Sequence, residues 1–159
     1  PVPVTLQTLA ILLVGFGFGS RLGTATVIVY LGQGFMGLPV FTPTTMPGLA
    51  ALVGPTGGFL IGFVALAWIA GFAAERKLAR GVIGTALSAI VASAALYLPG
   101  VLWPMSLAAL AGVDAGWAGQ GLGFYWAHFV APFLIGDAIK AVVAALIVTG
   151  VWSMLSRKA

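Results

Sequence analysis

The chain has 159 residues, 61% of them hydrophobic and 6% charged, with a net charge of +4. A soluble domain carries about 25% charged residues. So few charges cannot clothe a water-facing surface, which excludes a soluble globular protein and predicts an all-α integral membrane protein.

Residue 1 is Pro rather than Met, and a further hydrophobic segment is expected ahead of it. The first segment resembles no signal peptide, because it has neither a basic n-region nor a small-residue cleavage site. Five apolar stretches follow in order, Val4 to Gly19, Leu22 to Leu38, Gly58 to Ala74, Gly81 to Leu98 and Pro132 to Leu155. Four of them are short for a helix crossing a 30 Å hydrocarbon core, which takes about 20 residues. They are expected to borrow flanking residues or to cross where the bilayer thins. Gly pairs at spacing four (15 and 19, 19 and 23, 58 and 62, 119 and 123) suit close helix–helix contact in lipid.

The basic residues predict the orientation. Arg21 lies between the first two stretches, Arg76, Lys77 and Arg80 between the third and fourth, and Arg157 and Lys158 after the fifth. If all five stretches cross, these residues share one side, which the positive-inside rule assigns to the cytoplasm together with the C-terminus. The other side holds two irregular segments without Lys or Arg, Pro39 to Gly57 and Pro99 to Ala131. Met105 to Val113 reads as a short interfacial helix. Trp103, Trp117, Tyr125 and Trp126 fit an aromatic belt at the membrane surface. Alternatively some of them, with Trp126 a candidate, line a pocket.

The last stretch contains the pair Asp137 and Lys140. An ionisable residue in a membrane helix costs about 2.5–3.5 kcal/mol on insertion scales and marks a ligand or ion site by default. The spacing puts both residues on one helix face. With a helix start near Pro132, the pair is expected one to two turns below the outer surface. A structural ion pair is the plainer reading, but such a pair contributes little net stability. A carboxylate accepts and an ammonium donates, so together they suit a polar ligand with N–H groups and a carbonyl or carboxylate.

Other candidates are softer. Gly54-Pro55-Thr56-Gly57-Gly58 allows close backbone approach and offers the Thr56 hydroxyl beside a helix N-terminus, or is simply a turn. It lacks the ending of a phosphate loop. Thr5, Gln7 and Thr8 are polar residues at the outer end of the first stretch. Tyr30 and Gln33 are expected to face inward, with Tyr30 carried as a candidate ligand contact. A single His, His128, and three acidic residues make a poor metal set, so no metal and no cofactor are expected. The absence of a Walker motif and of a Ser–His–Asp grouping argues against ATP-driven action alone and against intramembrane hydrolysis, and no enzyme is expected. The basic excess is a topology signal, not a nucleic-acid footprint.

Four motifs, Pro1-Val-Pro-Val-Thr-Leu-Gln7, Gly37-Leu-Pro-Val-Phe41, Gly54-Pro-Thr-Gly-Gly58 and Pro132-Phe-Leu-Ile-Gly-Asp-Ala-Ile-Lys140, together resemble the BioY family, the biotin-binding S components of energy-coupling factor (ECF) transporters. The resemblance implies six membrane helices, about five of them in this chain. Residues 1–159 would form one transmembrane substrate-binding domain that captures biotin near the outer surface. A lid over the site would fall around Pro1 to Thr5. It carries a binding role to Asp137 and Lys140, and more weakly to Gln7 and Gly54 to Gly58. Phe41 to Pro47 departs from a more Gly-rich pattern. The implied partners are biotin, membrane lipid, a transmembrane coupling subunit and two ATPase subunits, in a bacterial cytoplasmic (inner) membrane. The chemistry of biotin agrees, because its ureido ring offers two N–H donors and a carbonyl. The alternatives are a substrate-binding subunit for a different vitamin, a stand-alone secondary transporter driven by protons through Asp137, and a structural or assembly protein.

Overall fold

A computed structural model describes residues 2–42, 46–107, 110, 112 and 115–156. Among these residues the structure is helical, with α1 (Gln7–Phe35), α2 (Ala50–Val53), α3 (Gly57–Glu75), α4 (Gly81–Leu102), α5 (Leu122–Tyr125) and α6 (Ala131–Ser156). Single π-helical turns, Trp103–Leu107 and Trp126–Val130, extend α4 and join α5 to α6.

The first helix is a hairpin. Gly19 has φ 78° and ψ 179°, a region open essentially to glycine alone, and it breaks α1 into arms 7–18 and 20–35. The Gln7 amide donates to the Tyr30 hydroxyl at 2.7 Å, although the two residues are 23 positions apart. On a straight helix they would be about 35 Å apart. The arms therefore run antiparallel, and a Cβ on Gly23 would stand 3.1 Å from the Gly15 Cα. The first two predicted stretches thus hold, but with no loop between them: one glycine turns the chain.

Glu75 locks this turn to α3. Its Oε1 accepts the Ser20 backbone N–H at 2.7 Å, and the Ser20 hydroxyl donates to the carboxylate at 2.8–2.9 Å. Small residues let the helices close. A Cβ on Gly71 would fall 2.3 Å from backbone atoms of Gly19 and Ser20. A Cβ on Gly58 would fall 2.1 Å from the Pro99 carbonyl oxygen. α3 packs against α1 on one side and α4 on the other, α4 packs against α6, and α6 closes back on α1. Leu12, Leu66, Ala67, Ala70, Ala89, Ala92, Ala141 and Ala144 form the core of this ring and are almost wholly buried. Outward faces are apolar as well, with Ile28, Ile83, Val91, Ile135 and Leu146 exposed. A helix that is apolar all round belongs in lipid.

Four helices are long and apolar enough to cross a membrane, Gln7–Phe35, Gly57–Glu75, Gly81–Ser106 and Leu122–Ser156. The hairpin makes the first of these two apolar arms, so the bundle has five, in keeping with the expected count. The last α-helix begins at Ala131, near Pro132 as expected, but a π-turn joins it without a break to a helical run that begins at Leu122. The Ala131 N–H bonds the Trp126 carbonyl, five residues back, and Pro132 supplies no N–H. The π-turn absorbs that missing donor, so the helix passes through the proline. Arg21, Arg76, Lys77 and Arg80 gather at the Gly19 end of the bundle, and Thr56, Gln7 and Tyr30 lie at the other. Arg157 and Lys158 lie outside the described residues.

Candidate functional site

At the end of the bundle away from the basic residues, a cleft holds about 530 Å³ of empty space, its open mouth included. Its lining, mostly apolar and aromatic with a few convergent polar groups, is that of a small-molecule site. Five structural parts build its wall. Val2, Pro3 and Thr5 come from the extended segment before α1, and Gln7 and Thr8 from the first turn of α1. Thr56, Phe59, Leu60 and Phe63 come from the start of α3, Leu96 and Tyr97 from α4, and Phe133, Asp137 and Lys140 from α6. Thr42 completes the rim.

Asp137 and Lys140 form the one ion pair among the described residues, with Lys140 Nζ 3.2 Å from Asp137 Oδ1. Each side chain is only about a tenth exposed (10% for Lys140, 12% for Asp137). The pair is tied at both ends to neighbouring helices. The Tyr97 hydroxyl of α4 donates to Asp137 Oδ2 in a short contact. Lys140 Nζ donates to the Thr8 hydroxyl of α1 at 3.1 Å. The polar chain Thr8–Lys140–Asp137–Tyr97 therefore crosses the cleft and joins three helices. Two of the three ammonium protons are accounted for among the described residues, which leaves one for a ligand.

A second chain lies beside it. The Thr5 hydroxyl donates to Gln7 Oε1 at 3.1 Å, the Gln7 amide donates to the Tyr30 hydroxyl, and Tyr30 donates to the Val40 carbonyl at 3.0 Å. Tyr30 is thus tied to the loop after α1, where Phe41 packs edge-on against both Tyr30 and Phe35. A Cβ on Gly34 would strike the Phe41 ring, so that glycine makes room for it. Thr56 stands at the start of α3 and makes no capping bond with its side chain, so its hydroxyl is free to face the cleft. The apolar walls come from Phe59, Phe63 and Phe133. Phe59 meets Tyr97 edge-on, with ring centroids 6.1 Å apart.

Four of the sequence candidates, Asp137, Lys140, Gln7 and Thr56, converge on this cleft. Four do not line it. Tyr30 stands one residue behind Gln7, held in hydrogen bonds on both sides. Gly54 offers its carbonyl to the Trp103 indole N–H at 3.0 Å. Gly57 is pressed against the Leu52 carbonyl, where a Cβ would stand at 2.1 Å. Both glycines shape the turn that carries Thr56. Trp126 is 58% exposed and borders a separate recess with Val101 and Leu122, because the π-turn rotates it away from the bundle. Gln33 is exposed rather than inward-facing. Tyr125 belongs to no belt: it is fully buried, and its hydroxyl is shared among the Pro104 and Trp117 carbonyls and the Gln120 N–H. The expected helix from Met105 to Val113 falls partly on residues 108, 109, 111 and 113, outside the described set, as do residues 43–45 of the Phe41 to Pro47 stretch. Tyr97 was missed by sequence reasoning. Its signal was a lone phenol in an apolar helix, the same kind of cost that singled out Asp137.

The sequence model of the BioY family matches residues 1–157. This chain belongs to the BioY family. Among curated relatives, "Biotin transporter BioY" of Thermotoga maritima is 39% identical over 153 residues, covering 92% of this chain and 79% of its own length. Its namesake in Rhodobacter capsulatus is 37% identical over 155 residues, covering 92% of this chain and 76% of its own length. "Probable biotin transporter BioY" of Pyrococcus horikoshii is 34% identical over 147 residues, with 92% and 78% covered. Among solved structures, the S-component for biotin from an ECF-type ABC transporter superposes with a TM-score of 0.77 at 25% identity. It covers 96% of this BioY chain and 77% of the solved one. The BioY fold seen here is therefore a multi-pass helical membrane bundle, not an enzyme scaffold.

Proposed function

We propose that this BioY-family chain is the biotin-binding uptake subunit of an ECF transporter. The observation that carries the reading is the coincidence of the ion pair Asp137–Lys140 with an aromatic-walled cleft, in a chain whose curated relatives are named biotin transporters. In this reading Asp137 accepts a ureido N–H. The free Lys140 proton goes to the ureido carbonyl or to the valerate carboxylate. Gln7 and Thr56 supply further polar contacts, and Phe59, Phe63 and Phe133 enclose the thiophane ring. The segment Val2 to Thr5, which already lines the cleft, acts as its lid. A site that hydrogen-bonds the whole ureido group rejects analogues lacking it.

The cleft end faces outward and the basic end with the C-terminus faces the cytoplasm of a bacterial inner membrane, by the positive-inside rule. A transmembrane coupling subunit and two ATPase subunits drive release inward. Mass spectrometry of the ligand retained by protein purified from cells grown on mixed vitamins tests the ligand class. Biotin is expected. Retention of a different vitamin, or of none under excess biotin, would overturn the assignment.

A further inference from the structure

We infer that the basic end of the bundle is a binding site for an anionic phospholipid, seated on the face of α3 that carries Trp68, Phe72 and Arg76. Three observations lead there, all distant from the cleft. The first is an ordered ladder. The Trp68 ring stacks on Phe72 with centroids 5.1 Å apart at 17°, and the Arg76 guanidinium lies over the Phe72 ring, 5.0 Å from its centroid. Trp68 is 49% exposed, although α3 is the most enclosed of the long helices. An apolar ring pair thus runs along a partly exposed side of α3 and ends in a cation held at the helix terminus. That is the shape of an acyl chain leading to a headgroup.

The second observation is the state of the charges. Arg21, Arg76, Lys77 and Arg80 are all exposed, and none joins an ion pair among the described residues. The one carboxylate among them, Glu75, lies within electrostatic reach of Arg21 and Arg76 but spends its oxygens on Ser20. A cluster of four cations around one committed carboxylate complements a phosphate.

The third is strain at Lys77. The Leu78 N–H bonds the Ala73 carbonyl at 2.9 Å and the Lys77 N–H bonds the Ala74 carbonyl at 3.1 Å, the Schellman arrangement that ends a helix. The residue at its left-handed position is normally Gly. Here it is Lys77 at φ 60°, the one non-glycine residue with positive φ among the described residues. A lysine where glycine would be unstrained is a cost that a charge-dependent role explains.

Lys77 also makes the test sharp, because Lys77→Gly removes the charge while relieving the strain. Purified protein is titrated with phosphatidylglycerol or phosphatidylcholine in mixed detergent micelles, and bound lipid is read by native mass spectrometry alongside the thermal midpoint. The wild type is expected to retain phosphatidylglycerol at least tenfold over phosphatidylcholine. Lys77→Gly and Arg76→Gln should each cut that preference about fivefold, while Lys77→Gly holds or raises the midpoint without lipid. Trp68→Leu should weaken retention of the lipid but leave the response to glycerol phosphate unchanged. Equal retention of the two lipids by the wild type would overturn the inference. So would an undiminished preference in both charge variants. Full competition by glycerol phosphate alone would show a free phosphate site instead, and binding only to an acidic protein segment would show a protein-docking surface; either refutes the lipid assignment.

Discussion

Replacing Tyr97 with Phe isolates one hydroxyl and leaves the rest of the site standing. The ring keeps its edge-on contact with Phe59. What disappears is the donor to Asp137 Oδ2. A hydrogen bond to a charged group contributes about 1.5–3 kcal/mol in soluble proteins. Between membrane helices the measured average is about 0.6 kcal/mol with a maximum near 1.7, because the separated helices find other partners. The membrane range governs here, since Tyr97 and Asp137 sit on facing helices. Its upper part applies because the acceptor is a nearly enclosed carboxylate. A loss of about 1–1.4 kcal/mol is expected, which weakens a ligand that needs Asp137 held in place by about five- to tenfold. Biotin titration of Tyr97→Phe in detergent, followed by calorimetry, measures it. If Tyr97→Phe binds within twofold of the wild type while Asp137→Asn does not bind, Tyr97 does not position the carboxylate.

Other substitutions probe the pair and the packing that presents it. Lys140→Ala leaves the Asp137 charge with Tyr97 as its one partner and should lower the ligand-free thermal midpoint by about 5–10 °C. The double variant Asp137→Asn with Lys140→Met should recover most of that loss, and failure to recover would mean the pair is not what Lys140→Ala disrupts. Gly71→Ala drives a methyl into the backbone of the Gly19 turn and should cost at least about 1–3 kcal/mol, whereas Gly136→Ala, with open space around it, should be silent. Gly19→Ala faces both the Glu75 carboxylate and a backbone conformation closed to alanine, so unfolding in detergent should come at least as early as for Gly71→Ala.

Hydropathy made the bundle legible because lipid demands long apolar helices, and the costly residues marked the site for the same reason. Asp137 and Lys140 stood out against an apolar background that hides nothing charged. The rotation of each helix was not legible. Apolar residues cover every side of these helices, so the pattern does not say which aromatic faces the cleft. Phe59 and Phe133 do, while Trp126 faces away. The tightness of the Gly19 turn was likewise hidden, since Arg21 suggested a loop where one glycine and a distant carboxylate suffice. Tyr125 looked interfacial because a phenol is amphipathic. Its hydroxyl is instead satisfied by backbone groups of a folded segment, which no local spacing reveals. Gly54 and Gly57 read as places for a ligand to approach, but the approaching groups are Trp103 and the Leu52 carbonyl.

If biotin is held by the polar chain running from Thr8 through Lys140 and Asp137 to Tyr97, removing the carboxylate charge must weaken its binding. A titration of purified wild-type protein and of Asp137→Asn with biotin, side by side in detergent, tests it most directly. Saturable one-to-one binding by the wild type, weakened at least a hundredfold in a folded Asp137→Asn, is the predicted result. Equal affinity in the two proteins would contradict the site, and no binding by a folded wild type would contradict the function.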